Sequence, residues 1–376
     1  YSPAVPKTHP ERENDIPQQS YPEALGELTR SHYTIAISGT HGKSTTTSMI
    51  GLLLVHAGLD PTIIVGTKLK ELDPSQSSGS NCRVGKSKYL VIEADEHFAS
   101  FLNYSPAIAV LTTVEADHLD YYKTLANILK TFKKYILRVP KNGYAVANKD
   151  DINTKKILAG YKGDIAFYSP KQKEAARLRK NLKIPGEHNV ANALAALAVA
   201  RILKIPDAKS FSSLLRYQGA WRRFEIFKVK TPKPFGAAQG KPYTLVSDYG
   251  HHPTEVRVTV EAARKKWKKE KLWLVFQPHQ YLRTHLLWKD FVQVLSHLPV
   301  DKLILADIYD VAGREEKNAK QKVSSEKLAK FCNALYIPGA KQIEEYLEKN
   351  LTGGEIVMVM GAGDIYNLTI RLTRNS

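Results

Sequence analysis

The sequence predicts an α/β protein made of two doubly wound units with largely parallel sheets. Three observations carry this prediction. Short apolar, β-branched runs alternate with stretches of helical spacing along most of the 376 residues. A glycine-rich turn joins the first such run to a helix, and the alternation stops and restarts once, around residues 219–224.

In chain order, residues 1–6 read as the tail of a strand, followed by a proline-punctuated polar linker and a short helix over 22–29. Because the first residue is Tyr and residues 1–30 do not resemble a whole domain, the chain is expected to begin near the end of one. The run Thr34-Ile35-Ala36-Ile37 predicts a buried strand, and about fourteen residues of helical spacing follow the turn Gly39–Ser44. Further strands are expected at 62–65, 89–93, 107–111, 143–148 and 164–168, with helices at 125–137, 153–159, 188–203 and 208–217. The Ser-, Gly- and Lys-rich segment 66–88 reads as a long loop or hairpin. After the restart, strands at 225–229, 244–247, 272–276, 302–306 and 355–360 alternate with helices at 253–267, 284–298, 324–331 and 341–349. Residues 230–240 read as a flexible connection within this second unit.

Composition narrows the class. The chain is 43% apolar and 24% charged, as ordinary globular domains are, and no apolar run reaches the roughly 18 residues of a membrane span. No signal sequence opens it. Its only cysteines, Cys82 and Cys332, form no ligand cluster, which points to a reducing, cytoplasmic setting. The net charge of +18 suits anionic partners. The densest basic run, Arg264–Lys269, is read as a solvated helix end rather than a nucleic-acid footprint, because no RNA-binding motif accompanies it. Neither nucleic acid nor membrane is expected as a partner, and the sequence leaves the oligomeric state open.

The chemistry begins at the turn. A strand, a glycine-rich loop and a helix N-terminus together make an anion site, since free N–H groups and the helix dipole both favour phosphate oxygens. Gly39 and Gly42 let the backbone approach, Lys43 supplies a point charge, and the Ser44 hydroxyl suits a magnesium ion. Thr40, His41 and Thr45 complete the loop. Ile37 stands where the usual pattern has its first glycine. At the end of the strand at 89–93, Glu93 is the first candidate to hold that magnesium ion. His118, flanked by Asp117 and Asp120 at the end of the next strand, is the candidate for a second metal. His188 and Asn192, spaced i, i+4, share a helix face that suits a planar base. In the second unit, Arg222 and Arg223 offer guanidinium groups, while Asp248-Tyr249-Gly250-His251-His252 and Gln277-Pro278-His279-Gln280-Tyr281-Leu282-Arg283 lie at successive strand ends. Adjacent histidines seldom ligate one ion, so zinc at His251 and His252 is not expected.

Assembled, these stretches resemble the Mur ligases, in the branch that acts on UDP-muramic acid. The matching runs are GTHGKSTTT, EADE with ASFL, EADHLD, PGEHNVANALAA, RRF, DYGHHPTEV, FQPH and GAGD, and they extend from Ser2 to Asp364 in the family's order. The resemblance implies a central P-loop-type ATPase domain (31–217), a C-terminal Rossmann-like domain (218–376), and a remnant (1–30) of a largely absent UDP-binding domain. It implies ATP-dependent joining of L-alanine to UDP-N-acetylmuramate in peptidoglycan synthesis, through an acyl phosphate and with Mg2+. On this resemblance Lys43 grips the phosphates, Ser44 and Glu93 hold one magnesium ion, and His118 holds the second. His188 and Asn192 contact adenine, and Arg223 and Asp248 close over the nucleotide. Tyr249, His251, His279 and Arg283 position the amino acid and carboxylate.

Several positions depart from the family pattern. Thr113 and Ala116 replace Asn and Pro, His97-Phe98 replaces Ser-Asp after EADE, and Gln280 stands where the family carries Arg. Lys130 and Lys133 are both placed where some relatives carry a carbamylated lysine. Two alternatives follow: a ligase that attaches a ready-made peptide to UDP-N-acetylmuramate, and a nucleotide-binding relative that no longer ligates.

Overall fold

The computed structural model describes residues 19–76, 79–230, 241–311 and 318–374. The expected strand tail at 1–6, and the expected connection at 230–240 apart from Lys230, lie outside the described residues. The chain divides into two compact units, one comprising residues up to 183 with 188–218, the other 184–187 with 219 onward.

The first unit opens with the helix Tyr21–Arg30. Its start is fixed by a capping box, in which the Glu23 carboxylate accepts from Ser20 N at 2.7 Å, and by Pro22 in the first turn. The strands are β1 (Tyr33–Ser38), β2 (Thr62–Leu69), β3 (Ser80–Arg83), β4 (Tyr89–Glu93), β5 (Ile108–Leu111), β6 (Tyr144–Asn148) and β7 (Asp164–Tyr168). They form one sheet in the order β3-β2-β4-β1-β5-β6-β7, parallel except for β3. β1 therefore lies inside the sheet, and Thr34–Ser38 are all buried.

Register decides what reaches the edge. Ile37 pairs with Glu93 and Ser38 with Leu111, so the carboxyl ends of β4 and β5 flank the glycine-rich turn. The helix Lys43–His56 follows that turn, and every residue from Ser44 to Leu54 is buried. Elsewhere in this unit Ile128, Phe132, Tyr135 and Ile136 of the helix Leu125–Ile136 enter a cluster with Leu90, Ile92 and Leu111. Phe101 stacks on Tyr135 at 4.4 Å and meets Phe132 edge-on at 5.0 Å. Each such side chain contributes about 2 kcal/mol through burial, which anchors the strand ends that carry the site.

The second unit has β8 (Glu225–Val229), β9 (Tyr243–Asp248), β10 (Leu272–Phe276), β11 (Lys302–Leu305), β12 (Leu335–Tyr336) and β13 (Ile356–Met360). Their order is β12-β11-β10-β13-β9-β8, with only β8 antiparallel. Asp248 and Phe276 both pair with Met360, so the loops after β9, β10 and β13 leave the same edge side by side.

The departures from expectation have physical causes. Segment 66–88 is a hairpin: β2 runs on to Leu69, and β3 returns antiparallel to it. The single helix expected over 284–298 is two, Tyr281–Leu286 and Trp288–Ser296, because Leu287 leaves helical geometry (φ −103°, ψ 21°). The helix Tyr366–Arg374 was not expected, since Leu368-Thr369-Ile370-Arg371-Leu372 alternates with the period of a strand. The basic run ends a helix, as read: Arg264 is engaged by Pro299 O at 2.9 Å and Asp301 at 2.7 Å, and Lys266 lies over Trp267. Among the described residues no helix is long and apolar enough to cross a membrane. Cys82 and Cys332 are free thiols.

Candidate active site

In the first unit the turn after β1 depends on two glycines. Gly39 (φ 135°) and Gly42 (φ 84°) adopt backbone that L side chains avoid. A Cβ on Gly42 would stand 2.5 Å from Asn192 Oδ1, and one on Gly39 would overlap Thr112 and Thr113. The loop is tied to the strand beside it: Thr40 N donates to Thr113 O at 2.6 Å, and Glu115 N donates to Thr40 Oγ1 at 2.9 Å. His41 Nε2 lies 3.6 Å from the Glu115 carboxylate. The first turn of the following helix contains Ser44 and Thr45, both buried.

Lys43 Nζ donates to Gly39 O at 2.7 Å, to Thr40 O at 3.3 Å and to Glu96 Oε1 at 2.9 Å. Burial alone would depress the lysine, but Glu96, Asp95 and Glu93 outweigh it and hold the ammonium charged well above the ordinary range. Burial pushes the Glu96 carboxyl up to about 7 against the pull of Lys43. Glu96, the last acid of the EADE run, is the one that pairs with Lys43. Glu93, at the strand end, reaches Ser44 instead.

Ser44 Oγ donates to Glu93 Oε1 at 3.0 Å, and Gly66 N donates to Glu93 Oε2 at 2.7 Å. His118 adopts left-handed backbone (φ 50°) before the short helix Leu119–Tyr122, and its Nε2 lies 3.8 Å from Glu96. Its ring stacks on His97 at 4.2 Å. Asn192, on the helix Glu187–Ile202, lies against Gly42, and His188 stands one turn earlier on that helix. The structure therefore gathers Gly39–Thr45, Glu93, His118 and Asn192 around one turn. Oxygen donors from Ser44 and Glu93, already 3.0 Å apart, suit a hard cation such as Mg2+.

In the second unit Asp248 is buried at the end of β9. Its two oxygens accept from Phe224 N at 2.8 Å and Gly250 N at 2.7 Å, which organises the loop beneath Arg223. Burial raises its pKa, with Arg223 and those amides opposing. The Arg223 guanidinium lies 5.1 Å from the Tyr249 ring. His251 is held through Glu255, which accepts from its N–H at 2.9 Å, and its ring approaches His279 at 5.3 Å. Arg283 Nη1 lies 3.1 Å from His279 Nδ1, and His279 stacks on Tyr309. Tyr249, His251, His279 and Arg283 thus form one connected group.

Gln280, at the position where arginine is usual, is buried with φ 70° and donates its N–H to Tyr309 O at 2.9 Å. Arg222 is buried. Its guanidinium sits among Trp221, Tyr249 and Tyr366 and donates to Gly361 O, so it clamps the Gly361–Asp364 loop. Two adjacent arginines in sequence do not reveal which one turns inward.

A glycine-rich turn with a part-buried lysine, at the carboxyl edge of a mostly parallel sheet, defines a P-loop nucleotide-binding protein. More narrowly, the chain belongs to the Mur ligase family: the Mur ligase middle domain matches residues 37–200, and the glutamate ligase domain of the Mur ligases matches 222–363. It is 38% identical to a UDP-N-acetylmuramate–L-alanine ligase of Clostridium acetobutylicum, over 98% of this chain and 82% of that one. It is 35% identical to the Alkaliphilus metalliredigens protein of the same name, over 97% and 82%. In structure it is similar to UDP-N-acetylmuramate–alanine ligase from Thermotoga maritima (TM-score 0.75, 23% identity, covering 99% of this chain and 83% of that one). It is also similar to a MurF ligase of Thermotoga maritima in complex with ADP (TM-score 0.66, 16% identity, covering 96% and 85%).

Proposed function

We propose that this protein is an ATP-dependent ligase that joins L-alanine to UDP-N-acetylmuramate in peptidoglycan synthesis. The identity of 35–38% with alanine-adding relatives over 97–98% of the chain carries the reading, and the pairing of Lys43 with buried Glu96 at the turn gives it a chemical basis. The lactyl carboxylate attacks the γ-phosphorus of ATP, forming a carboxyl–phosphate bond as the bond to ADP breaks. The amine of alanine then adds to the acyl carbon, phosphate leaves with the bonding pair, and the amine gives up a proton. Two anions must meet for the first step, so charge neutralisation and alignment supply most of the catalysis.

The residue roles belong to the same proposal. Backbone N–H groups from His41 to Thr45 and the Lys43 ammonium receive the phosphates, with Lys43 exchanging Glu96 for phosphate oxygen. Ser44 and Glu93 are the side chains that would hold one Mg2+ and His118 the second; Mg2+ when bound withdraws charge from the phosphoryl oxygens. His188 and Asn192 are assigned to adenine. Arg223 is assigned to the nucleotide, with Asp248 holding its loop. Tyr249, His251, His279 and Arg283 are assigned to the amino acid and carboxylate. A cytoplasmic location fits substrates of this kind.

The test is product formation with ATP, Mg2+, UDP-N-acetylmuramate and a panel of amino acids and peptides. Phosphate release and an amide product with L-alanine are expected. Turnover with a tripeptide but none with alanine would move the protein to the peptide-attaching ligases, and ATP binding without any product would make it a relative that no longer ligates.

A further inference from the structure

We propose that Gln277 is a positioning residue: by bonding the Gly361–Asp364 loop it holds His279 and Arg283 in the geometry that receives the amino acid. Gln277 follows β10 directly and is 6% exposed. Its main-chain N–H donates to Met360 O at 2.9 Å, which extends the β10–β13 ladder by one residue. Its side chain then crosses to the neighbouring loop. Nε2 donates to Asp364 Oδ1 at 2.8 Å, and Oε1 accepts from Ile365 N at 3.1 Å. One buried amide thus serves a carboxylate and a main-chain donor just before the helix Tyr366–Arg374. An apolar side chain of the same shape would leave the buried Ile365 N–H unpaired, and a glutamate would set carboxylate against carboxylate at Asp364.

Two contacts carry this bond to the site. A Cβ on Gly363 would overlap the Tyr309 ring and stand 2.5 Å from Gln277 Oε1, so the glycine backbone is wedged between them. Tyr309 in turn stacks on His279 at 5.5 Å, with 18° between the rings. Its N–H donates to Pro278 O at 2.8 Å and its carbonyl accepts from Gln280 N at 2.9 Å, which brackets His279 on both sides. His279 Nδ1 lies 3.1 Å from Arg283 Nη1. Gln277 therefore fixes the loop that backs Tyr309, and Tyr309 fixes the pair assigned to the amino acid. Displacing an aligning group by about 1 Å costs on the order of a hundredfold in rate. The effect on the amino acid rests on the ligase reading, whereas the hold on His279 does not.

Steady-state kinetics and NMR of the whole chain test the two effects separately. Gln277→Leu should raise the KM for L-alanine at least about tenfold and leave the KM for ATP within about twofold, a split that a general loss of stability does not produce. Gln277→Glu should behave alike. Combining Gln277→Glu with Asp364→Asn should recover most of the loss, because the amide introduced at 364 donates to the carboxylate introduced at 277. In spectra of histidine-labelled protein the His279 ring resonance, assigned with His279→Asn, should move in Gln277→Leu toward its position in Tyr309→Leu, where the stacked ring is gone. A wild type that makes no product with L-alanine would end the ligase reading, and the His279 resonance would still decide on Gln277. An unmoved resonance in folded Gln277→Leu, an alanine KM that stays at the wild-type value or rises no further than that for ATP, or a double variant no better than Gln277→Glu would each overturn the proposal.

Discussion

Replacing Glu96 by Gln tests the electrostatics of the P-loop turn through the pH dependence of stability. Glu96 is 3% exposed, with Lys43 Nζ at 2.9 Å and His118 Nε2 at 3.8 Å. Burial moves its carboxyl from an ordinary value of 4.5 up to about 7, despite the lysine. The folded protein therefore binds this proton more tightly than the unfolded chain. The group's stabilising contribution is complete below pH 4.5 and is lost as pH rises to about 7. At 1.36 kcal/mol per pH unit, the difference between 4.5 and 7 amounts to about 3 kcal/mol.

Gln copies the protonated acid and does not titrate, and Asp95 and Glu93 remain to favour the Lys43 ammonium. Glu96→Gln should therefore gain about 3 kcal/mol on the wild type between pH 4.5 and 8. Native-state hydrogen exchange of β1 and β4 amides, with divalent ions chelated, reads the opening free energy of this unit alone. A pH-independent difference would refute the reasoning. A wild type that gains on the variant would reverse it, showing that Lys43 holds Glu96 ionised.

Lys43→Ala should abolish ATP turnover while leaving the far-UV circular dichroism unchanged; residual turnover near the wild-type rate would contradict the phosphate site. Gly42→Ala places a Cβ 2.5 Å from Asn192 Oδ1 on backbone at φ 84°. It should cost about 1–2 kcal/mol of stability and weaken ATP binding, read by thermal unfolding and calorimetry. Arg222→Ala removes the ring contacts and the bonds to the Gly361–Asp364 loop, and should destabilise the second unit by about 2–4 kcal/mol in urea. Arg222→Lys should recover little of this, because an ammonium cannot reproduce a planar guanidinium between rings.

Strands bounded by polar or turn-forming residues were legible in the sequence. β4, β7, β8 and β10 begin and end where alternation and flanking polar residues place them. The P-loop turn was legible because strand, glycines, lysine and helix are contiguous, and Glu93 because register with Ile37 fixes its place at the edge. What escaped depends on contacts between distant residues. That Lys43 pairs with Glu96 follows from how the loop after β4 folds back, not from local pattern. The stacking of His97 on His118 needs left-handed backbone at Phe98, Ala99 and His118, for which none of these residue types is a signal. The helix Glu174–Asn181 buries only Ala175 and Leu178, too little apolar surface to leave a periodic trace.

An isotope experiment meets the central claim most directly. UDP-N-acetylmuramate carrying 18O in its lactyl carboxylate is turned over with ATP and L-alanine, and the released phosphate is weighed by mass spectrometry. Transfer of one labelled oxygen to phosphate is predicted, because the carboxylate oxygen that attacks phosphorus leaves with it. Amide product accompanied by unlabelled phosphate would contradict the acyl-phosphate route.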